Sequence, residues 1–107
     1  MPLNNFADQV KQLFEILYKH NVDIFTIYDG NTRLTNGMIV SRQNMIWHNT
    51  TKLFKLIINF NSFKVIYNEY EWFGYDIETV ILALEFIYDI IKDEVLDEVI
   101  VDLYGIQ

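Results

Sequence analysis

No cysteine occurs in the 107 residues, which excludes disulfides, thiolate zinc sites and thiol nucleophiles. Proline occurs once and glycine four times, so no Pro/Gly-rich linker divides the chain, and residues 1–107 read as one globular domain. Long apolar runs are missing as well. The longest, Val80 to Leu84, has five residues, far short of the ~20 that a membrane span needs. The opening Met1-Pro2-Leu3-Asn4-Asn5-Phe6 lacks the basic flank and apolar stretch of a signal peptide. These absences lead to the expectation of a cytoplasmic protein with no membrane partner.

Reactive groups are equally scarce. Two histidines, His20 and His48, and two serines, Ser41 and Ser62, stand outside any nucleophile-elbow pattern. His20 ends a helical pattern and His48 follows Trp47; both read as surface or capping residues, and two histidines without cysteine make a poor metal site. Asp29-x-Asn31 opens like a calcium loop, but Arg33 and Val40 occupy the fifth and twelfth positions, where that loop needs oxygen ligands. No Walker A or dinucleotide fingerprint is present. The expectation is a protein without catalytic residues, metal or cofactor.

What is present is a core and a lopsided charge. Hydrophobic residues make up 51% and mean hydropathy is +0.10, which excludes a disordered chain. Net charge is −7. Met1 to Asn68 hold seven bases and four acids, whereas Glu69 to Gln107 hold eleven acids and one base, Lys92. Such a segment repels phosphate backbones and suits a basic partner. Asn, Ile, Lys, Tyr and Phe total 46 residues against nine of Ala, Gly, Pro and Arg, the bias of an AT-rich gene.

Periodicity divides the chain into elements. Phe6, Val10, Leu13, Phe14 and Leu17 recur at helical spacing, with Asn4 or Asn5 as N-cap and Asn21 as C-cap. Val22 to Tyr28 is β-branched and aromatic, hence a strand. Asp29-Gly30-Asn31 and Asn36-Gly37 mark turns, the latter a hairpin signal. Phe54, Leu56, Ile58 and Phe60 alternate, which favours a strand over 52–60, although Leu53, Phe54, Ile57 and Ile58 also fit a short helix. Asn61-Ser62 then turns the chain into a strand over 63–70.

Asp76 caps a long helical pattern through Ile77, Val80, Ile81, Leu84, Ile87, Tyr88 and Ile91. Paired apolar residues continue it through Val95-Leu96, Val99-Ile100 and Leu103-Tyr104, with Gly105 at the C′ position. One helix of ~28 residues and two helices broken near Lys92–Asp93 both fit. The fold class is α+β in two layers: an N-terminal helix, an antiparallel sheet of about four strands, and a long acidic C-terminal helix, continuous or broken.

Two surface features follow. On an unbroken helix Glu85, Asp89, Asp93 and Asp97 form a ladder at i, i+4 spacing, with Glu94, Glu98 and Asp102 beside it. Like charges at that spacing oppose helix stability, and acids near a helix C-terminus oppose its dipole, so the ladder reads as a partner-facing ridge. The second feature is Tyr67–Tyr75, five aromatics and two acids in nine residues, an interface-like composition. If Phe63, Val65 and Tyr67 point inward, Glu69 and Glu71 inherit that phase and something must change there, with Tyr70 and Trp72 on the opposite face.

The partner-binding residues expected are therefore Glu85, Asp89, Asp93, Glu94, Asp97, Glu98, Tyr70 and Trp72. The matching function is a small inhibitor from a phage or mobile element of a low-GC bacterium. It would occupy the basic nucleic-acid-binding surface of a host nuclease, as anti-CRISPR or anti-restriction proteins do, without binding nucleic acid itself. An immunity protein or antitoxin neutralising a basic toxin fits the same residues. A structural module, homodimeric through the aromatic segment, is the further alternative.

Overall fold

The computed structural model describes residues 6–28, 41–49, 51–59 and 61–106. Three helices and five strands follow in the order α1 (Phe6–Lys19), β1 (Asp23–Tyr28), β2 (Ser41–His48), β3 (Thr51–Asn59), β4 (Phe63–Tyr67), β5 (Tyr70–Gly74), α2 (Ile77–Ile91) and α3 (Glu94–Leu103). The strands form an antiparallel meander in sequence order, with the helices on one face, an α+β fold. The expected caps Asn4 and Asn5, the turns at 29–31 and 36–37, and Phe60 lie outside the described residues.

Left-handed backbone at polar residues ends several elements. Asn21 (φ 59°) follows α1, where the amides of Val22 and Asn21 donate to the carbonyls of Leu17 and Tyr18 at 2.9 and 3.0 Å. This paired closure satisfies the orphan carbonyls of the last turn. Asn49 (φ 58°) follows β2 and Asn68 (φ 54°) follows β4; asparagine tolerates these angles better than other residues with a Cβ.

The stretch over 51–59 is a strand, and a bulge explains its sequence. Ile46 pairs with Phe54 but Trp47 pairs with Lys52, so Leu53 is the extra residue. Leu53 and Phe54 are consequently both buried, while Leu56 keeps the inward phase. The strand expected over 63–70 is instead two, because the chain reverses at Asn68–Glu69 and Tyr67 pairs with Tyr70. That turn resets the alternation. Trp72 lies opposite Val65 on the inner face and packs against the core, whereas Glu71 and Phe73 face out. The expectation that Tyr70 and Trp72 sit on the opposite face from Val65 is corrected by this two-residue turn.

Leu13, Leu17, Ile46, Leu56, Phe63, Val65, Val80, Leu84, Ile87, Leu96, Val99 and Leu103 fill the space between sheet and helices, each at most 1% exposed. Burial at about 25 cal/mol per Å² of apolar surface is what holds the two layers together.

The C-terminal helical pattern is broken. Lys92 adopts φ 53°, ψ 38° and its amide closes α2 on the Tyr88 carbonyl. Asp93 then caps α3, accepting from the amides of Val95 and Leu96 at 2.9 and 3.3 Å. Asp93→Ala should cost about 1 kcal/mol, read as a lower thermal midpoint; Asp97→Ala, on the exposed side of the same turn, should stay within ~0.5 kcal/mol. Equal losses would mean that Asp93 makes no cap in solution. Gly105 does follow α3, but its amide and that of Ile106 close 3₁₀-type bonds to Asp102 and Leu103, and the preceding Tyr104 is right-handed.

Candidate functional site

The break at Lys92 folds α3 back along α2, so no single acidic ladder exists. Tyr104, just beyond α3, reaches α2 and its hydroxyl donates to Glu85 Oε2 at 2.6 Å. The outer faces of the two helices thus adjoin across a helical hairpin. Helical phase turns Glu78, Leu82 and Asp89 of α2 outward, and Glu94, Asp97 and Val101 of α3 are exposed on the adjoining surface. Together they make an acidic plateau.

The break also reverses the sign of the dipole argument. Asp93, Glu94 and Asp97 sit at the N-terminus of α3, where negative charge is favoured by ~0.3–1 kcal/mol each. Local helix physics alone therefore accounts for part of the acid content there.

The eight expected binding residues separate into four groups. Glu85, Asp89, Glu94 and Asp97 belong to the plateau; Asp89 lies 3.6 Å from the Lys92 ammonium, both well exposed. Asp93 is occupied as a cap. Glu98 faces α1, with its carboxylate 3.2 Å from His20 Nδ1. Tyr70 and Trp72 lie on the other flank of α2, where Phe86 packs on both rings at centroid distances of 4.8 and 5.2 Å. The aromatic pair and the acids are thus on different surfaces.

His20 has a part that its surface reading missed. Its Nε2 donates to Asp102 Oδ2 at 2.7 Å and its side chain is 14% exposed, while Lys19 Nζ lies 3.1 Å from the same carboxylate oxygen. The hydrogen bond from His20, then that from Lys19, holds the Asp102 carboxyl below its ordinary 3.8. Both donors end α1, so this cluster fastens α1 to α3. Tyr104 is shifted the other way: its bond to Glu85 raises the phenol above its ordinary 10.0, so it remains a neutral donor at physiological pH.

Glu78, Leu82, Val101 and Tyr104 complete the plateau and were not among the expected binding residues. Leu82, Val101 and Tyr104 are 53%, 64% and 58% exposed, large side chains among carboxylates. One signal for a further surface was legible: Leu82, Phe86 and Ile90 repeat at i, i+4, i+8 outside the inward stripe of α2, an apolar row that the core does not use. Val101 and Tyr104 carry no such signal, because only the folding back of α3 sets them beside α2.

Among the described residues, no group of three or more His, Asp or Glu is placed to hold a metal ion, and no helix is long and apolar enough to cross a membrane. Charge also divides by layer: Lys52 and Lys55 of β3 and Lys64 of β4 belong to the sheet, whereas Lys92 is the only base among the acids from Asp76 to Asp102. Comparisons with protein-family models, curated proteins and solved structures found no match.

Proposed function

We propose that this chain is a small non-catalytic inhibitor that covers a basic protein surface with the acidic plateau of α2 and α3. The observation that carries the reading is that the outer faces of α2 and α3 combine acids with large exposed side chains: Glu78 beside Tyr104 and Leu82 at one end of the hairpin, Glu94 and Asp97 at the other, and Val101 between them. Exposed charges alone confer little affinity; they steer encounter and reject anionic competitors, while large side chains at the centre supply the slow dissociation. A plateau combining both is suited to a surface that otherwise holds nucleic acid, such as that of a host nuclease, in the cytoplasm of a bacterium with an AT-rich genome.

The test uses Asp89→Asn, Glu94→Gln and Asp97→Asn together, leaving the Asp93 cap intact. Binding partners are recovered from a low-GC bacterial lysate at low salt, and association is then timed against the recovered partner. The triple variant should associate about ten-fold more slowly with a weaker salt dependence, and Tyr104→Ala should accelerate dissociation. Equal recovery and equal rates for all three proteins would reduce the plateau to a solvated face.

A further inference from the structure

The edge of the sheet at β5 presents an unused pairing surface. Among the described residues β5 pairs only with β4. Tyr67 and Tyr70 flank a two-residue turn and so form a hydrogen-bonded pair, and antiparallel ladders alternate. Trp72 therefore bonds toward Val65, while the N–H and C=O groups of Glu71 and Phe73 point away from the sheet. Edges are ordinarily blunted by charged residues, proline or a bulge; Tyr70-Glu71-Trp72-Phe73-Gly74 has no proline or bulge, and its one charge, Glu71, has Lys64 at 3.6 Å.

The same flank carries large apolar side chains. Tyr70 is 42% exposed, Phe73 57%, Phe86 38% and Ile90 50%. Tyr70, Phe86 and Ile90 with Trp72 border β5 on its α2 side, and Phe73 borders the same edge on the opposite face of the sheet. We infer that this flank is a homodimer seam, in which β5 pairs antiparallel with β5 of a second copy about a twofold axis beside Trp72, and the two α2 helices pack across it through Phe86 and Ile90.

Three observations select a second copy as the occupant. The first is self-complementarity: a twofold at Trp72 sets Glu71 opposite Phe73 of the second copy and Phe73 opposite its Glu71, so the outward-pointing groups of both edges satisfy one another. An isologous contact of this kind closes after two copies.

The second is spacing. Because α2 packs over both β4 and β5, strands ~4.8 Å apart place its axis about 5 Å from the twofold. The two α2 axes then lie about 10 Å apart, a normal distance for packed helices.

The third is charge and area. In a chain of net charge −7, like-sign repulsion is the obstacle to self-association, yet the acids of α2 avoid this flank. Glu85 turns toward Tyr104, Glu78 and Asp89 lie on the outward side, and Glu71 of β5 has Lys64 at 3.6 Å. The exposed parts of Tyr70, Phe73, Phe86 and Ile90 amount to about 350 Å² per copy. Two copies with their paired strand backbones approach the ~1,000 Å² that a specific interface needs. The acids on the α3 side of the hairpin, Glu85, Glu94 and Asp97, lie away from the seam.

Sedimentation of the full chain across a hundred-fold range of concentration, with amide exchange at both extremes, tests the seam. The expected result is a species of twice 12.8 kDa at high concentration, with the Glu71 and Phe73 amides exchanging at least ten-fold more slowly than in the dilute monomer. Ile90→Glu charges an exposed position, and Glu71→Pro removes an N–H that points away from β4 and bonds to nothing among the described residues; each should shift the chain to monomer while far-ultraviolet circular dichroism stays unchanged. A monomer at every concentration overturns the inference. So does a dimer that leaves those two amides unprotected, or one that persists undiminished in the folded variants; should a variant unfold, the wild-type exchange decides.

Discussion

Phe63→Ala is expected to cost about 3–5 kcal/mol, the range for removing a fully buried aromatic side chain. Phe63 is 0% exposed and opens β4, where it pairs with Ile58 of β3 and Gly74 of β5. Its ring meets Phe6 of α1 at a centroid distance of 4.6 Å, tilted by 44°. The same side chain thus belongs to the sheet core and to the docking of α1. At roughly 4–8 °C per kcal/mol for a domain near this size, the thermal midpoint should fall by ~12 °C or more. Phe6→Ala should cost less, since Phe6 is only half-buried. The double variant should lose less than the sum of the two, by the ~0.5–1.5 kcal/mol of a ring pair. A loss below ~1 kcal/mol for Phe63→Ala, measured by urea unfolding, would mean that β4 does not carry the core.

Asp102→Ala should cost about 1.5–3 kcal/mol, the range for hydrogen bonds to a charged group. The carboxylate receives His20 Nε2 and Lys19 Nζ at 2.7 and 3.1 Å and its side chain is 28% exposed, so water replaces the lost bonds only in part. Lys19→Ala should cost at most ~1 kcal/mol, because its ammonium is largely solvated.

A pH signature accompanies the loss. The native Asp102 carboxyl titrates below 3.8, through its bond to His20 and then to Lys19. In the window beneath 3.8 the unfolded chain therefore binds more protons than the native one, and stability rises with pH there. The contribution of this group is complete above that window and disappears as pH falls through the lowered native value. Asp102→Asn should flatten the acid limb of a stability–pH curve relative to the unmodified chain. Parallel acid limbs for the two proteins would show that the cluster linking α1 to α3 is not formed in solution.

Much of the fold could be read along the chain because it depends on local periodicity. Phe6, Val10, Leu13, Phe14 and Leu17 mark the inner face of α1, and Ile77, Val80, Ile81, Leu84 and Ile87 that of α2, since a helix returns the same face every three or four residues. Asn21 and Asp76 end and begin helices by satisfying nearby backbone groups, which again needs no distant contact. β2 was harder to read: Arg42-Gln43-Asn44 opens it with polar residues, and Asn44 is fully buried, its side-chain amide donating to the Leu56 carbonyl at 3.3 Å. A polar side chain at an inward position is intelligible only once the neighbouring strand supplies its partner.

The candidate site was legible in composition and not in arrangement. Sequence alone determined that this chain has one core's worth of apolar residues in helical and strand periods, that its acids concentrate after Glu69, and that it lacks thiol and nucleophile-elbow signatures. Where those acids face was decided by the tertiary structure at Lys92. A left-handed lysine costs ~1 kcal/mol, and no glycine or proline there announces a break. What offsets that cost is distant: burial of Leu96, Val99, Ile100 and Leu103, possible only when α3 turns back against α2 and α1. The same reversal brings Tyr104 to Glu85, opens Val101 to solvent, and moves Asp93, Glu94 and Asp97 from the middle of a helix to the N-terminus of one. Charge content is a property of the chain, whereas the direction of each charge follows from which apolar residues the fold can bury.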